Sequence, residues 1–311
     1  MMSAATLVRF LAQAAIWGSS FTLIKIAVRD VSPDQLVLSR LALGAAVLAI
    51  VALLSRMSLR MSGLAWMHVT VSAVFATVVP YLLLSFGEQH TGAGLAGVLI
   101  GGTPLLTLLF ATLALRSERA TRRGVVGFVL GFVGVVLVVA PWASGGGSLA
   151  GSLACFAAAA SYAVGYVYVR RFLTPFGIAP LTLATTQLVA AVVLQLLITP
   201  FFGWQPIRAI SVGAVVSIVL LGVLSTGLAN ILYFRLIQDI GAAGAAAVDY
   251  VVPIFAVLFG VILLGEPITW NVIAGGVIVL LGMGVAEGRL RRRPRSVRSA
   301  LSPECEAPGS G

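Results

Sequence analysis

The stretch Gly241–Pro267, GAAGAAAVDYVVPIFAVLFGVILLGEP, decides how this chain is read. As a helix it is long and apolar enough to cross a bilayer core of about 30 Å. Before its closing Gly-Glu-Pro turn it contains one carboxylate, Asp249, and one helix breaker, Pro253. Proline has no N–H to donate, and its ring crowds the carbonyl four residues back. That residue is Asp249, so the acid of this helix falls where backbone bonding is weakest. An earlier copy of the stretch runs from Gly92 to Glu118. At one fixed offset Gly92 matches Gly241, Ala93 matches Ala242, Ala96 matches Ala245 and Pro104 matches Pro253, while Glu118 meets Glu266 after a one-residue slip. A spanning helix that occurs twice, proline included, predicts a chain built from two membrane repeats.

Composition agrees. Of 311 residues, 59% are hydrophobic and 10% charged, and the mean hydropathy is +1.07. Soluble domains carry about a quarter charged residues, so this chain lacks the polar surface to cover itself. The class expected is an all-α polytopic membrane protein in a lipid bilayer. The net charge of +10 calls for no nucleic acid: six arginines fall in the tail between Arg289 and Arg298, and most others sit in short inter-helix segments. Cys155 and Cys305 supply neither a disulfide framework nor a metal site. Val8–Val28 is too long and too interrupted by polar residues for a signal-peptide core, and reads as a retained helix.

Ten segments have spanning length: Val8–Val28, Gln35–Leu54, Trp66–Phe86, Ala93–Leu115, Gly124–Ala140, Leu149–Val169, Pro180–Phe201, Ile210–Phe234, Ala242–Leu264 and Trp270–Gly288. Turn chemistry separates them, as at Ser32-Pro33-Asp34, Glu88 to Gly92, Ser144 to Ser148, Gly203 to Pro206 and Gln238 to Gly241. With a cytoplasmic N-terminus, the inner segments hold Arg9, Arg56, Arg60, Arg116, Arg119, Arg122, Arg123, Arg170, Arg171, Arg235 and the tail arginines, whereas the outer loops hold Arg29 and Arg208. This asymmetry places both termini in the cytoplasm of a cell-membrane protein. The halves also match at their beginnings: Ala15-Ile16-Trp17 with Ala160-Ser161-Tyr162, Phe21 with Tyr166, Lys25 with Arg170. Each repeat then has five helices, residues 7–140 and 149–288, followed by a disordered basic tail, 289–311. An odd number makes the second repeat enter from the opposite face, which is the inverted-repeat architecture of alternating-access carriers.

Asp249 is the sharpest candidate for chemistry. A mid-helix carboxylate costs about 2.5–3.5 kcal/mol to insert, and such groups by default line pathways; the alternative is a structural acid paired across an interface with Arg235, a tyrosine or backbone. A carboxyl at that depth can exchange protons, which makes protons the candidate coupling ion. Lys25, near the outer end of the first helix, either faces the cavity or snorkels to the headgroups. Arg40, a turn inside the second, holds a carboxylate substrate, pins Glu88 or snorkels; Glu88 itself reads as a solvated loop acid. Trp17, Tyr81, Tyr162, Tyr166, Tyr233 and Tyr250 offer flat faces with polar tips to a cavity, or form an interfacial belt. Trp17 and Tyr162, equivalent in the repeats and near mid-helix, favour the cavity. Asn230 is a further polar candidate, although neutral polar groups in spanning helices, Gln187 among them, are mostly interhelical glue. Pro104 and Pro253 mark kinks. Gly94, Gly97 and Gly101 share one helix face and Gly127, Gly131 and Gly134 another, a spacing for close backbone packing. Glu118 and Glu266 are expected to cap turns or hold loop arginines.

At these residues the chain resembles the drug/metabolite transporter superfamily in its ten-helix EamA-like branch. The resemblance spans Leu7 to Gly288. It rests on Trp17-Gly18-Ser19-Ser20-Phe21 with Lys25, on Pro33 and Arg40, on Gly92 to Pro104 with Glu118, on Tyr233 to Gly241, on Pro253 and on Gly265-Glu266-Pro267. It implies a small-molecule carrier, usually an exporter, with a cavity between two repeats; no cofactor is expected. Asp249 departs from that pattern, which is mostly apolar there, and its first-repeat counterpart is Ile100. The expected function is export of small metabolites such as amino acids by alternating access. A membrane-embedded enzyme is the second class, but His68 and His90 form no His-Glu-x-x-His motif, and the chain has no paired carboxylates in one helix and no phosphate-cradling loop. A scaffold or sensor is the third, and the loops are too short to bind much.

Overall fold

The structure, a computed structural model, describes residues 3–115, 121–140, 148–202 and 209–286, without the side chains of residues 242 and 243. Glu118, Arg116, Arg119, Arg208, the turns at 144–147 and 203–206, and the tail with Cys305 therefore lie outside the described residues.

The described residues are helical and contain no strand. In chain order the helices are α1 (Ala4–Ala27), α2 (Pro33–Leu54), α3 (Gly63–Ala73), α4 (Val79–His90), α5 (Ala93–Gly101), α6 (Thr103–Ala114), α7 (Arg122–Val139), α8 (Leu149–Tyr168), α9 (Pro180–Ile198), α10 (Val212–Val219), α11 (Ala229–Ala245), α12 (Val252–Leu264) and α13 (Trp270–Ala286). Polar residues stand where the helices begin, because the first turn leaves N–H groups without intrahelical partners. The side chains of Ser3, Ser62, Thr121 and Ser211 each accept a backbone N–H three residues on. The N–H of Ser32 donates to Gln35, ahead of Pro33 in the first turn of α2.

Joined end to end, these helices make eight segments long and apolar enough to cross a membrane, the last being Val212–Gly241. The chain is a multi-pass membrane protein. Leu53, Leu54, Leu113, Phe201 and Val212 stand more than half exposed, as suits a surface solvated by lipid tails. The expected ninth and tenth spans appear as shorter apolar helices, Val252–Leu264 and Trp270–Ala286. The ninth is shortened at its own breaker: a 3₁₀ segment, Ala246–Tyr250, gives way to α12 one residue before Pro253. The first copy breaks in register. There α5 stops at Gly101 and α6 starts at Thr103, 149 positions before the start of α12. Gly241 separates the eighth segment from the ninth with φ 75°, a conformation that favours glycine.

Three π-helical turns widen helices among the described residues: Val169–Leu173 closes α8, and two others lie inside spans. Of these two, Val74–Val78 joins α3 to α4 and Leu220–Leu228 joins α10 to α11. Thr77 in the first and Thr226 in the second are also 149 positions apart. The freed backbone acceptors find partners: Ser161 donates to the carbonyl of Phe75 at 2.8 Å, and Asn230 to that of Thr226 at 2.6 Å.

Packing gathers around α1, which lies against α5, α10, α11 and α12. Small residues set the closest approaches. A Cβ on Gly97 would overlap the Cβ of Ala256, and one on Gly101 would sit 2.5 Å from the Pro253 ring, so α5 lies directly on α12. The antiparallel pair α7 and α13 meets backbone to backbone: a Cβ on Gly127 would lie 2.5 Å from the Gly282 carbonyl, and one on Gly134 2.7 Å from that of Gly275.

Candidate transport site

Between the helices lies a cavity of about 370 Å³. Its wall is drawn from both parts of the chain, with α1, α2, α4, the α5–α6 break, α8, α9, α11 and the 3₁₀ segment all contributing and no lining residue coming from α7 or α13. The break before Pro104 and the break before Pro253 both reach it: Ile100, Gly101 and Pro104 line it from one side, Asp249 and Val252 from the other. Irregular backbone at membrane depth is tolerated where it is buried in protein or lines a cavity, and these two breaks satisfy that condition.

The aromatic candidates form two groups on the wall. Trp17 and Tyr233 have ring centroids 5.1 Å apart. Tyr162 meets Tyr81 edge-on at 6.4 Å and stacks with Tyr166 at 6.0 Å. Arg40 is 7% exposed. Its Nε donates to Thr226 at 2.7 Å, and its guanidinium lies 4.0 Å from the centre of the Tyr81 ring, within the range of a cation–π contact. Asn230 also lines the cavity, but its amide is turned back to the Thr226 carbonyl. Gln187 joins the wall while donating to Ser72 at 3.3 Å.

Two expected cavity residues are elsewhere. Lys25 ties α1 to the end of α4, its Nζ donating to the carbonyls of Glu88 at 2.5 Å and Thr91 at 2.7 Å. This side chain serves as a cap for carbonyls the helix end leaves over, which is the common use of a cation there. Tyr250 is partly buried against the hydrophobic core, one residue round the 3₁₀ turn from Asp249, and does not line the cavity. Glu88 is a third correction. It is no solvated loop acid but wholly buried in the last turn of α4, and neither carboxylate oxygen has a hydrogen-bond partner among the described residues; Arg40 does not pin it.

The cavity is sealed at the end where α1 finishes. Ser20, Phe21, Ile24 and Leu84 are at most 6% exposed on that side. Beyond them the Glu266 carboxylate accepts the N–H groups of Ala93 at 2.7 Å and Gly94 at 3.0 Å, so an acid at the end of α12 caps the start of α5. In the same layer Ser148 N–H donates to the His90 carbonyl and Ser211 N–H to Asp30. The Ser211 hydroxyl and N–H together hold the Asp30 carboxyl below its ordinary range. Toward the opposite face Tyr166 is 49% exposed, and there Arg9 pairs with Asp239. Thr77 and Ser225 also line the cavity; no motif marks them in the sequence, and the 149-residue spacing of Thr77 and Thr226 is the signal for the turns that hold them.

The sequence model of the EamA-like transporter family matches this chain twice, over residues 4–140 and 149–286. The chain belongs to that family. EamA-like relatives are similar over nearly all of their length. An uncharacterized transporter of Archaeoglobus fulgidus is 29% identical over 271 residues, covering 86% of this chain and 93% of its own. The uncharacterized transporter YdfC of Bacillus subtilis is 27% identical, covering 86% of each chain. The uncharacterized inner membrane transporter YedA of Escherichia coli is 28% identical, covering 88% of each. A solved crystal structure, 22% identical, superposes with a TM-score of 0.64 over 94% of this chain and 100% of its own, which shows that the two share a fold.

Proposed function

We propose that this protein is a secondary carrier of the cell membrane that exports small metabolites such as amino acids by alternating access, with protons as the coupling ion. The observation that carries the reading is the cavity itself: enclosed by helices from both family-matched segments, sealed at one end, and lined by one buried cation, Arg40, and one carboxylate, Asp249. Two inverted five-helix repeats, 7–140 and 149–288, are the architecture proposed for it. The equal spacing of the two proline breaks and of Thr77 and Thr226 in their π turns supports that reading, as does membership of a transporter family. The arginine asymmetry supports cytoplasmic termini, with the sealed end then facing outward. Asp249 is the proposed proton site, since an ionisable side chain on a membrane cavity is a ready relay.

The test is flux. Purified protein in liposomes is expected to move a metabolite drawn from a screen of overproducing cells, faster when a pH gradient is imposed. Absence of flux across a broad metabolite panel would remove the carrier reading, and flux indifferent to the gradient would remove the proton. Reporter fusions after Arg123 are expected to read cytoplasmic, and a periplasmic reading would invert the topology.

A further inference from the structure

Among the described residues Arg40 forms no ion pair, and Glu88 interacts with it only through space. Arg40 is nearly buried, and no carboxylate among the described residues lies within 4.0 Å of it. Glu88, the acid that the sequence offered as a partner, makes no hydrogen bond to it. A guanidinium carries five N–H donors in a planar fork. Here Nε is spent on Thr226, and one face lies against Tyr81. The donors left over are the two Nη groups, on a residue that lines the cavity. Burying a cation without a hydrogen-bonded anion is costly, and a ring face offsets only part of that cost. Two parallel N–H groups fit a carboxylate in bidentate fashion, a geometry that lysine cannot reproduce.

The second copy of the helix lacks this charge. Pro33 and Pro180 each stand in the first turn of their helices, α2 and α9, and the seventh residue after each proline is Arg40 in one and Gln187 in the other. Both side chains line the cavity. The wall is therefore cationic on the α2 side and neutral at the matching place on α9. A ligand with an anionic end meets Arg40 in one orientation only.

We propose that Arg40 is the anchor for an anionic group on the carried molecule, a carboxylate above all, and that the cavity selects small organic acids and zwitterions over amines and neutral analogues of the same shape. The body of such a molecule lies along Tyr81, Tyr162 and Tyr166. This rests on the reading of the cavity as the transport site, and it adds the class of molecule that enters.

Three probes share one body and differ in the head: 3-phenylpropanoate, 3-phenylpropanamide and 3-phenylpropylamine. Binding is measured by calorimetry on the full chain in lipid nanodiscs. A charge-assisted pair in a desolvated site corresponds to about tenfold to hundredfold in affinity, so the carboxylate is expected to bind at least about tenfold tighter than the amide or the amine. Arg40→Gln should erase that preference, and Arg40→Lys should retain part of it, keeping the charge without the fork. If Arg40→Gln does not fold, Thr226→Val, which frees Nε from its partner, should weaken the carboxylate more than the amide. Equal affinity for the three heads, a preference that survives Arg40→Gln, or no binding of any probe overturns the proposal. Counterflow of the bound carboxylate in proteoliposomes reads the carrier hypothesis separately. Tight, Arg40-dependent binding without flux would sustain the anion site and overturn carriage. Flux without preference for the head would do the reverse.

Discussion

The two copies of the proline-broken helix have diverged in what they bury. In the first, α5 presents Gly94, Gly97 and Gly101 to α12, so closely that a side chain on Gly97 would collide with Ala256. The matching residues of the second copy are Ala243, Ala246 and Tyr250. There the backbone narrows to a 3₁₀ turn, and Asp249 lines the cavity at the place where the first copy has Ile100. Both copies reach the cavity, the first with apolar and neutral residues beside its packing strip, the second with a carboxylate. Repetition supplied the break in both, and side-chain divergence on either side of that break decided which copy took on a charge.

The comparison can be broken most sharply at Gly97. Gly97→Val is expected to overpack the α5–α12 contact, costing about 1–3 kcal/mol or more and lowering the yield and unfolding midpoint of the purified protein. Ala246→Val, its counterpart, should cost less than about 1 kcal/mol, since Ala246 is only half-buried. Equal losses at both sites would mean that the copies pack alike. Next in size is Asp249→Asn, predicted to leave the protein folded and inserted while abolishing flux driven by a pH gradient, with Asp249→Glu retaining part. Liposome flux with and without the gradient decides it: wild-type rates from the Asn variant under both conditions would make Asp249 a structural acid. The smallest effect is expected from Glu266→Gln. The amide oxygen still accepts one N–H of α5, but the charge at that helix start is lost, for about 0.5–1 kcal/mol. Thermal unfolding measures it, and an unchanged midpoint would show that the cap on the first copy contributes nothing.

Much of this was legible in the sequence. Gly241, Pro253, Pro104 and the Gly265-Glu266-Pro267 turn end or break helices because their backbones allow little else, and each does so here. The depth of a polar side chain was also readable, since depth follows from position along an apolar run. Its direction was not. Lys25 and Tyr250 have the depth of cavity residues, but one reaches carbonyls of another helix and the other turns into the core. Glu88 stands at a helix end, where acids usually meet water; the packing of α8, α2, α1 and α5 against α4 covers it. The π turns at Val74–Val78 and Leu220–Leu228 carry no marker of their own, because a π turn needs no proline or glycine, and they show only as an echo between repeats.

The glycine contact of α7 with α13 has a mechanical corollary. Backbones interlocked at Gly127–Gly282 and Gly134–Gly275 have no side-chain rotamers to absorb sliding, and neither helix touches the cavity. If one half of the molecule tilts against the other, this seam is the fulcrum.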